Sequence, residues 1–137
     1  MITVPHVNYL AVLVSGIAIF LLGGLWYSAL FKKPWVRLMG KSPEELQSAA
    51  PGPLPFILAF LCGFAIALAM AIVLNHFQPL TILRSINIAV VCWIGFAAAT
   101  SFATAVFSGT PRALWLINSG YNLVSFIIAA IIETLWR

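Results

Sequence analysis

LPFILAFLCGFAIALAMAIVLNHF, residues 54–77, decides the fold, because it runs its whole length without a single Asp, Glu, Lys or Arg. A helix rises about 1.5 Å per residue, so roughly 20 apolar residues cross a bilayer core of about 30 Å, and this tract is long enough. A membrane strand needs only about 10 residues and alternates polar with apolar at period two; nothing here alternates. The tract reads as a transmembrane helix, launched by Pro51, Gly52, Pro53 and Pro55.

Three further tracts repeat the pattern: Val7–Phe31, Ser85–Pro111 and Ala113–Ile132 are also uncharged. The chain of 137 residues is 63% hydrophobic and 7% charged, against about a quarter charged in soluble domains. A chain this short cannot hide so much apolar surface in a water-soluble core. The expectation is therefore an all-α integral membrane bundle of four transmembrane helices, one domain over residues 1–137, with spans at about 7–31, 54–77, 85–108 and 111–136. Met1–His6 carries no Lys or Arg and the following apolar tract is too long for a signal-peptide core, so the first span is expected to be retained. Cys62 and Cys92 lie singly inside spans and carry neither a metal motif nor a disulfide framework.

Between the first two spans, Ser42, Pro43, Glu44 and Glu45 give an N-cap, an N1 proline and first-turn acids. That predicts a short interfacial helix through about Ala50, while Pro34 is expected to break the first span's helix. Thr110 and Pro111 predict an N-cap and N1 for the fourth span. Lys32, Lys33, Arg37, Lys41 and Arg112 fall on the side of the first and third loops, and only Arg84 and Arg137 on the side of the termini. The positive-inside rule then makes this a multi-pass cell-membrane protein with the first and third loops cytoplasmic and both termini outward. The net charge of +4 belongs to anionic headgroups at the bilayer surface rather than to nucleic acid. Trp26, Tyr27, Trp35, Trp115 and Trp136 stand where interfacial aromatics belong.

Small residues mark where helices should meet. Gly23 and Gly24 allow close approach in the first span, and Ala59, Gly63, Ala67 and Ala71 form a four-residue ridge in the second. From Gly95 through Ala99 to Ala105, every third-span residue except Phe96 and Phe102 is small, which predicts a helix surrounded by protein. In the fourth span, Asn118, Asn122, Ser125 and Ala129 share one face, with Tyr121 at its edge, and Leu116, Leu123, Ile127 and Ile131 lie opposite. This polar stripe, with Thr100, Ser101 and Thr104, is either an interhelical hydrogen-bond seam or the lining of a ligand cavity; the hydroxyls are expected mostly to bond their own helix.

The acid in the spans is Glu133, expected at the interface and paired with Arg137 at i,i+4. His6, His76 and Glu133 share one end of the bundle without metal-ligand spacing, so no metal or cofactor is expected. No nucleophile elbow, HExxH, phosphate loop or paired carboxylate occurs, and no catalytic residue is indicated.

Asn8, the run Gly24, Leu25, Trp26, Tyr27, Ser28 with Phe31 and Trp35, then Gly95, Phe96, Ile117, Asn118, Gly120, Tyr121 and Trp136 together resemble the mostly bacterial membrane family named domain of unknown function 1761. The resemblance covers nearly the whole chain. It implies a four-helix protein of a bacterial cytoplasmic membrane and no established activity. Three readings are open: a bundle acting through helix contacts as a homo-oligomer or accessory subunit; a binder or transporter of a small neutral or lipid-like molecule at Asn118, Tyr121, Asn122, Ser125, Thr100 and Thr104; and, third, a membrane enzyme.

Overall fold

The computed structural model describes residues 6–42, 44–45, 52–77 and 79–136, and these are helices and short connections with no strand among them. Four helices are long and apolar enough to cross a membrane: Tyr9–Leu30, Leu54–Asn75, Ile82–Ser108 and Arg112–Leu135.

Helix α1, Tyr9–Leu25, starts where Asn8 Oδ1 accepts the N–H groups of Leu10 and Ala11 at 3.1 and 3.2 Å. This satisfies two of the backbone donors that a helix start leaves free. The chain then widens into a π-helical turn, Trp26–Leu30, closed by the Phe31 N–H on the Trp26 carbonyl at 2.9 Å. The break falls at Phe31 and not at Pro34, a correction to the sequence expectation. Pro34 instead sits in the first turn of α2, Lys32–Met39, where a missing N–H costs nothing because that donor has no intrahelical acceptor. Ser42 Oγ accepts the Glu45 N–H at 3.2 Å; Pro43 and residues 46–50 of the expected interfacial helix lie outside the described residues.

Helix α3 is Leu54–Asn75. The third span is α4, Ile82–Cys92, a second π-helical turn, Trp93–Ala98, and α5, Ala99–Ser108. Thr81 caps it, its Oγ1 accepting the Arg84 N–H at 3.1 Å. The fourth span is α6, Arg112–Leu135. Gly109 ends α5 at φ 71, and the Thr110 N–H closes back on the Ala105 carbonyl at 3.0 Å. Thr110 thus finishes one helix rather than capping the next, whose N-cap position is Pro111.

Helix α6 is the centre of the bundle, packing against α1, α3 and α4, whereas α3 and α4 barely meet. Against α1 and α4 it is stapled at the terminal end by Asn8, which donates to the Trp136 carbonyl at 3.3 Å, and by the Ser85–Thr134 hydroxyl pair. The α1–α3 crossing depends on two glycines: a Cβ on Gly63 would lie 3.1 Å from Ile19 Cγ2, and one on Gly16 would lie 3.2 Å from the Phe64 Cα. Ala67 and Ala71 continue the α3 ridge in burial, while Ala59 is exposed. Leucine- or valine-sized groups at the crossing would hold the backbones apart and forfeit the dispersion contacts that bind helices where no hydrophobic force acts between them.

The third span differs from expectation. Gly95, Ala99, Thr100, Ala103 and Thr104 are exposed, and Ala98 is the buried residue of the stretch. Small size sets how closely a neighbour can come; it does not guarantee that this chain supplies one.

Candidate functional site

At the end that carries the first and third loops, the first π-helical turn presents its aromatics to α6. Trp26 lays its ring over Gly120, where an added Cβ would lie 3.1 Å from Cζ2, and its Nε1–H donates to the Ile117 carbonyl at 2.9 Å. Tyr27 donates its hydroxyl to Asn118 Oδ1 at 2.7 Å and packs edge-on to Tyr121 and Trp35, with ring centroids 5.6 and 5.5 Å away. Tyr121 in turn donates to the Ile19 carbonyl at 3.1 Å and fills the space left by Gly23. Gly24 faces open space.

The second π-helical turn acts similarly from the other side, with Trp93 Nε1–H donating to the Ser119 carbonyl at 3.0 Å. Two indoles therefore grip consecutive stretches of α6 beside Gly120. A π-helical turn inserts one residue into the helical register and rotates the faces of the helix beyond it, and each of these two turns begins at the tryptophan that meets the central helix. Trp26 and Trp115 are accordingly more than interfacial anchors: both are half-buried and spend their N–H groups on protein, Trp115 on Ser101 Oγ at 3.0 Å.

Beside this joint, a groove of about 440 Å³ runs between α5 and α6, lined by Thr100, Thr104, Trp115, Asn118 and Asn122 among others. It brings together four of the six residues singled out as a ligand lining. The other two lie elsewhere: Tyr121 belongs to the α1 joint, and Ser125 is fully buried, donating to its own helix at the Tyr121 carbonyl, 2.8 Å. Thr100, Ser101 and Thr104 all donate to carbonyls of their own helix, at 2.9, 2.6 and 3.1 Å. No hydrogen bond runs from Thr100 or Thr104 to Asn118 or Asn122 among the described residues; the two walls are joined instead by Trp115 Nε1–H donating to Ser101 Oγ. Of the residues assigned to the lipid side of α6, Leu116 is exposed, while Leu123, Ile127 and Ile131 are half-buried.

At the opposite, terminal end, Glu133 is 7% exposed, so it is buried in the bundle and not an interfacial carboxylate as expected from its nearness to the chain end. Helix α6 carries it inward against α1 and α3. Its expected partner, Arg137, lies outside the described residues. His6 and Glu133 line one cavity, whereas His76 is exposed with Nδ1 2.8 Å from the Ile72 carbonyl. Among the described residues no three metal-ligating side chains gather.

Sequence reasoning missed Asn8 as a cap and clip, Gly16 as a crossing point, Trp93 as a donor and the depth of Glu133. Asn8 had a usable signal, an Asn just ahead of an apolar tract. Trp93 stands mid-span, away from either interface. A family model described as a protein of unknown function, DUF1761, matches residues 10–134. No curated protein and no solved structure matches the chain.

Proposed function

Taking as premise that the chain belongs to DUF1761, a family of unknown function, we propose that it is a non-enzymatic membrane bundle that works through helix contacts, as a homo-oligomer or as an accessory subunit of a larger membrane complex. The observation that carries this reading is the outer face of the third span. Gly95, Ala99 and Ala103 recur every four residues and are exposed, and a Cβ built on Gly95 would meet no atom within 4 Å. The comparable ridge Gly63, Ala67, Ala71 on α3 is buried, with Ile19 of α1 against Gly63. Helices in lipid associate by van der Waals packing at small-residue faces, and this face is unoccupied within one chain.

The basic residues Lys32, Lys33 and Arg37 on α2, with Lys41 and Arg112 at the same end, favour the loop end inside and both termini outward, and the resemblance to the family implies a bacterial cytoplasmic membrane. Crosslinking in native membranes should recover a discrete oligomer or a defined partner. Gly95→Leu with Ala103→Leu should remove that species and leave the chain folded, since both positions are open. A strictly monomeric chain at native abundance, or an oligomer indifferent to the double substitution, contradicts the proposal.

The groove supports a second reading, a site for a small neutral or lipid-like molecule. Asn122 lines it and makes no hydrogen bond to any described residue, and an unpaired amide at membrane depth is costly. A molecule retained in native lipid discs by the wild type and lost from Asn122→Leu supports this reading; equal retention removes it.

A further inference from the structure

Where α1 begins and α3 and α6 end, the bundle forms a half-open cavity of about 440 Å³. Val7, Ala71 and Leu74 give it apolar walls, each of them buried. Glu133 lines it, 7% exposed, and both of its carboxyl oxygens are buried without a hydrogen-bond partner among the described residues. Two polar side chains at this end are committed elsewhere. Asn8 caps α1 with its oxygen and donates its amide to the Trp136 carbonyl. Arg84, the described guanidinium at this end, donates to the Pro79 carbonyl at 3.0 Å and lies 5.8 Å from the Phe77 ring centroid. Either protonation form of a carboxyl leaves a hydrogen-bonding group stranded in such a place, and the ionised form is the more expensive by far.

The geometry points to a binding site for a small organic cation, a primary ammonium compound with an apolar substituent. The ammonium would sit on the Glu133 carboxylate, and the substituent would lie against Val7, Leu74 and the Trp136 ring. Three features favour this chemistry over a bare metal ion. The cavity far exceeds one ion with its ligands, one side of it is the apolar wall of Val7, Ala11, Ala71 and Leu74, and among the described residues His6 is the one further imidazole, thiol or carboxylate that lines it. The exposed Trp136 ring adds apolar surface for the substituent. This site lies at the other end of the bundle from the helix-docking reading and stands or falls apart from it.

The test uses the full chain in lipid nanodiscs with benzylammonium as probe, measured by equilibrium dialysis and by the thermal midpoint of unfolding. Wild type should bind one equivalent saturably, and its midpoint should rise with probe concentration. Glu133→Gln should weaken binding at least tenfold and abolish the midpoint rise while the chain stays folded. Trp136→Leu, at an exposed position whose backbone carbonyl is kept, should weaken binding too; Asn122→Leu, in the distant groove, should not. Absence of saturable binding to wild type overturns the proposal, as does equal binding to Glu133→Gln. Binding that emerges only in Arg137→Gln overturns it by showing that the chain's own arginine fills the place. Stoichiometric Zn²⁺ uptake through Glu133 with no benzylammonium uptake overturns the assignment in favour of a metal.

Discussion

Gly63→Ala should destabilise the bundle relative to Gly24→Ala by about 1–3 kcal/mol, the usual range for overpacking a filled site. A Cβ at Gly63 would lie 3.1 Å from Ile19 Cγ2 and 3.5 Å from the Gly16 carbonyl oxygen, whereas at Gly24 nothing lies within 4 Å. Ile19 is fully buried, and a β-branched side chain in a helix has essentially one χ1 rotamer, so it cannot swing aside. Relief has to come from α1 and α3 moving apart, which loosens Val12, Phe64 and Ala67 along the same seam. Each substitution also gains helix propensity, about 1 kcal/mol in model helices, and comparing the two largely cancels that gain. Reversible unfolding in bicelles, followed by steric trapping, reads the difference as a change in the unfolding constant of about fivefold to a hundredfold or more. Equal stability of the two variants would refute the claim that the first two spans approach most closely at Gly16 and Gly63.

The Tyr27–Asn118 hydrogen bond of 2.7 Å should show a coupling of about 0.6 kcal/mol, and no more than about 1.7, in a double-mutant cycle of Tyr27→Phe with Asn118→Leu; zero coupling would contradict its role in the joint. Asn8→Ala removes the acceptor for Leu10 and Ala11 and should cost about 0.5–2 kcal/mol, with faster amide exchange confined to the first turn of α1; unchanged exchange there would contradict the cap. Gly109→Ala forces a side chain onto φ 71 and should cost about 1–2 kcal/mol, whereas a neutral result in thermal unfolding would argue against the left-handed turn between the third and fourth spans.

Four spans were legible in the sequence because the signal is cumulative: each tract stays uncharged for about as long as a bilayer is thick, and no local detail overrides that. The α3 ridge of Gly63, Ala67 and Ala71 was legible for the same reason, as a period rather than a single residue. Partners were not. Ala59 belongs to the same period yet is exposed, and Gly23 and Gly24 are neighbours in sequence with opposite surroundings. Which small residue is covered depends on crossing angles, and those depend on side chains far away in the chain. The family residues Trp26, Tyr27, Ile117, Asn118, Gly120 and Tyr121 carried no local reason for standing together. Only the fold shows the first π-helical turn laid against α6, with an indole over a glycine and a phenol on an amide. A π-helical turn has no sequence period of its own, so the two turns that begin at Trp26 and Trp93 were invisible. Glu133 was misplaced because nearness to the chain end is not nearness to water once α6 is the central helix.

If the third span offers its small-residue face to another membrane helix, a photoreactive side chain on that face must meet protein. A diazirine-bearing residue of leucine size is placed at position 103 and, as control, at position 129, which is fully buried in the chain, and cells are irradiated at native expression. Position 103 should give one discrete adduct of higher mass and position 129 none. Lipid adducts alone at position 103, from chain shown to be folded, would contradict helix docking at this face.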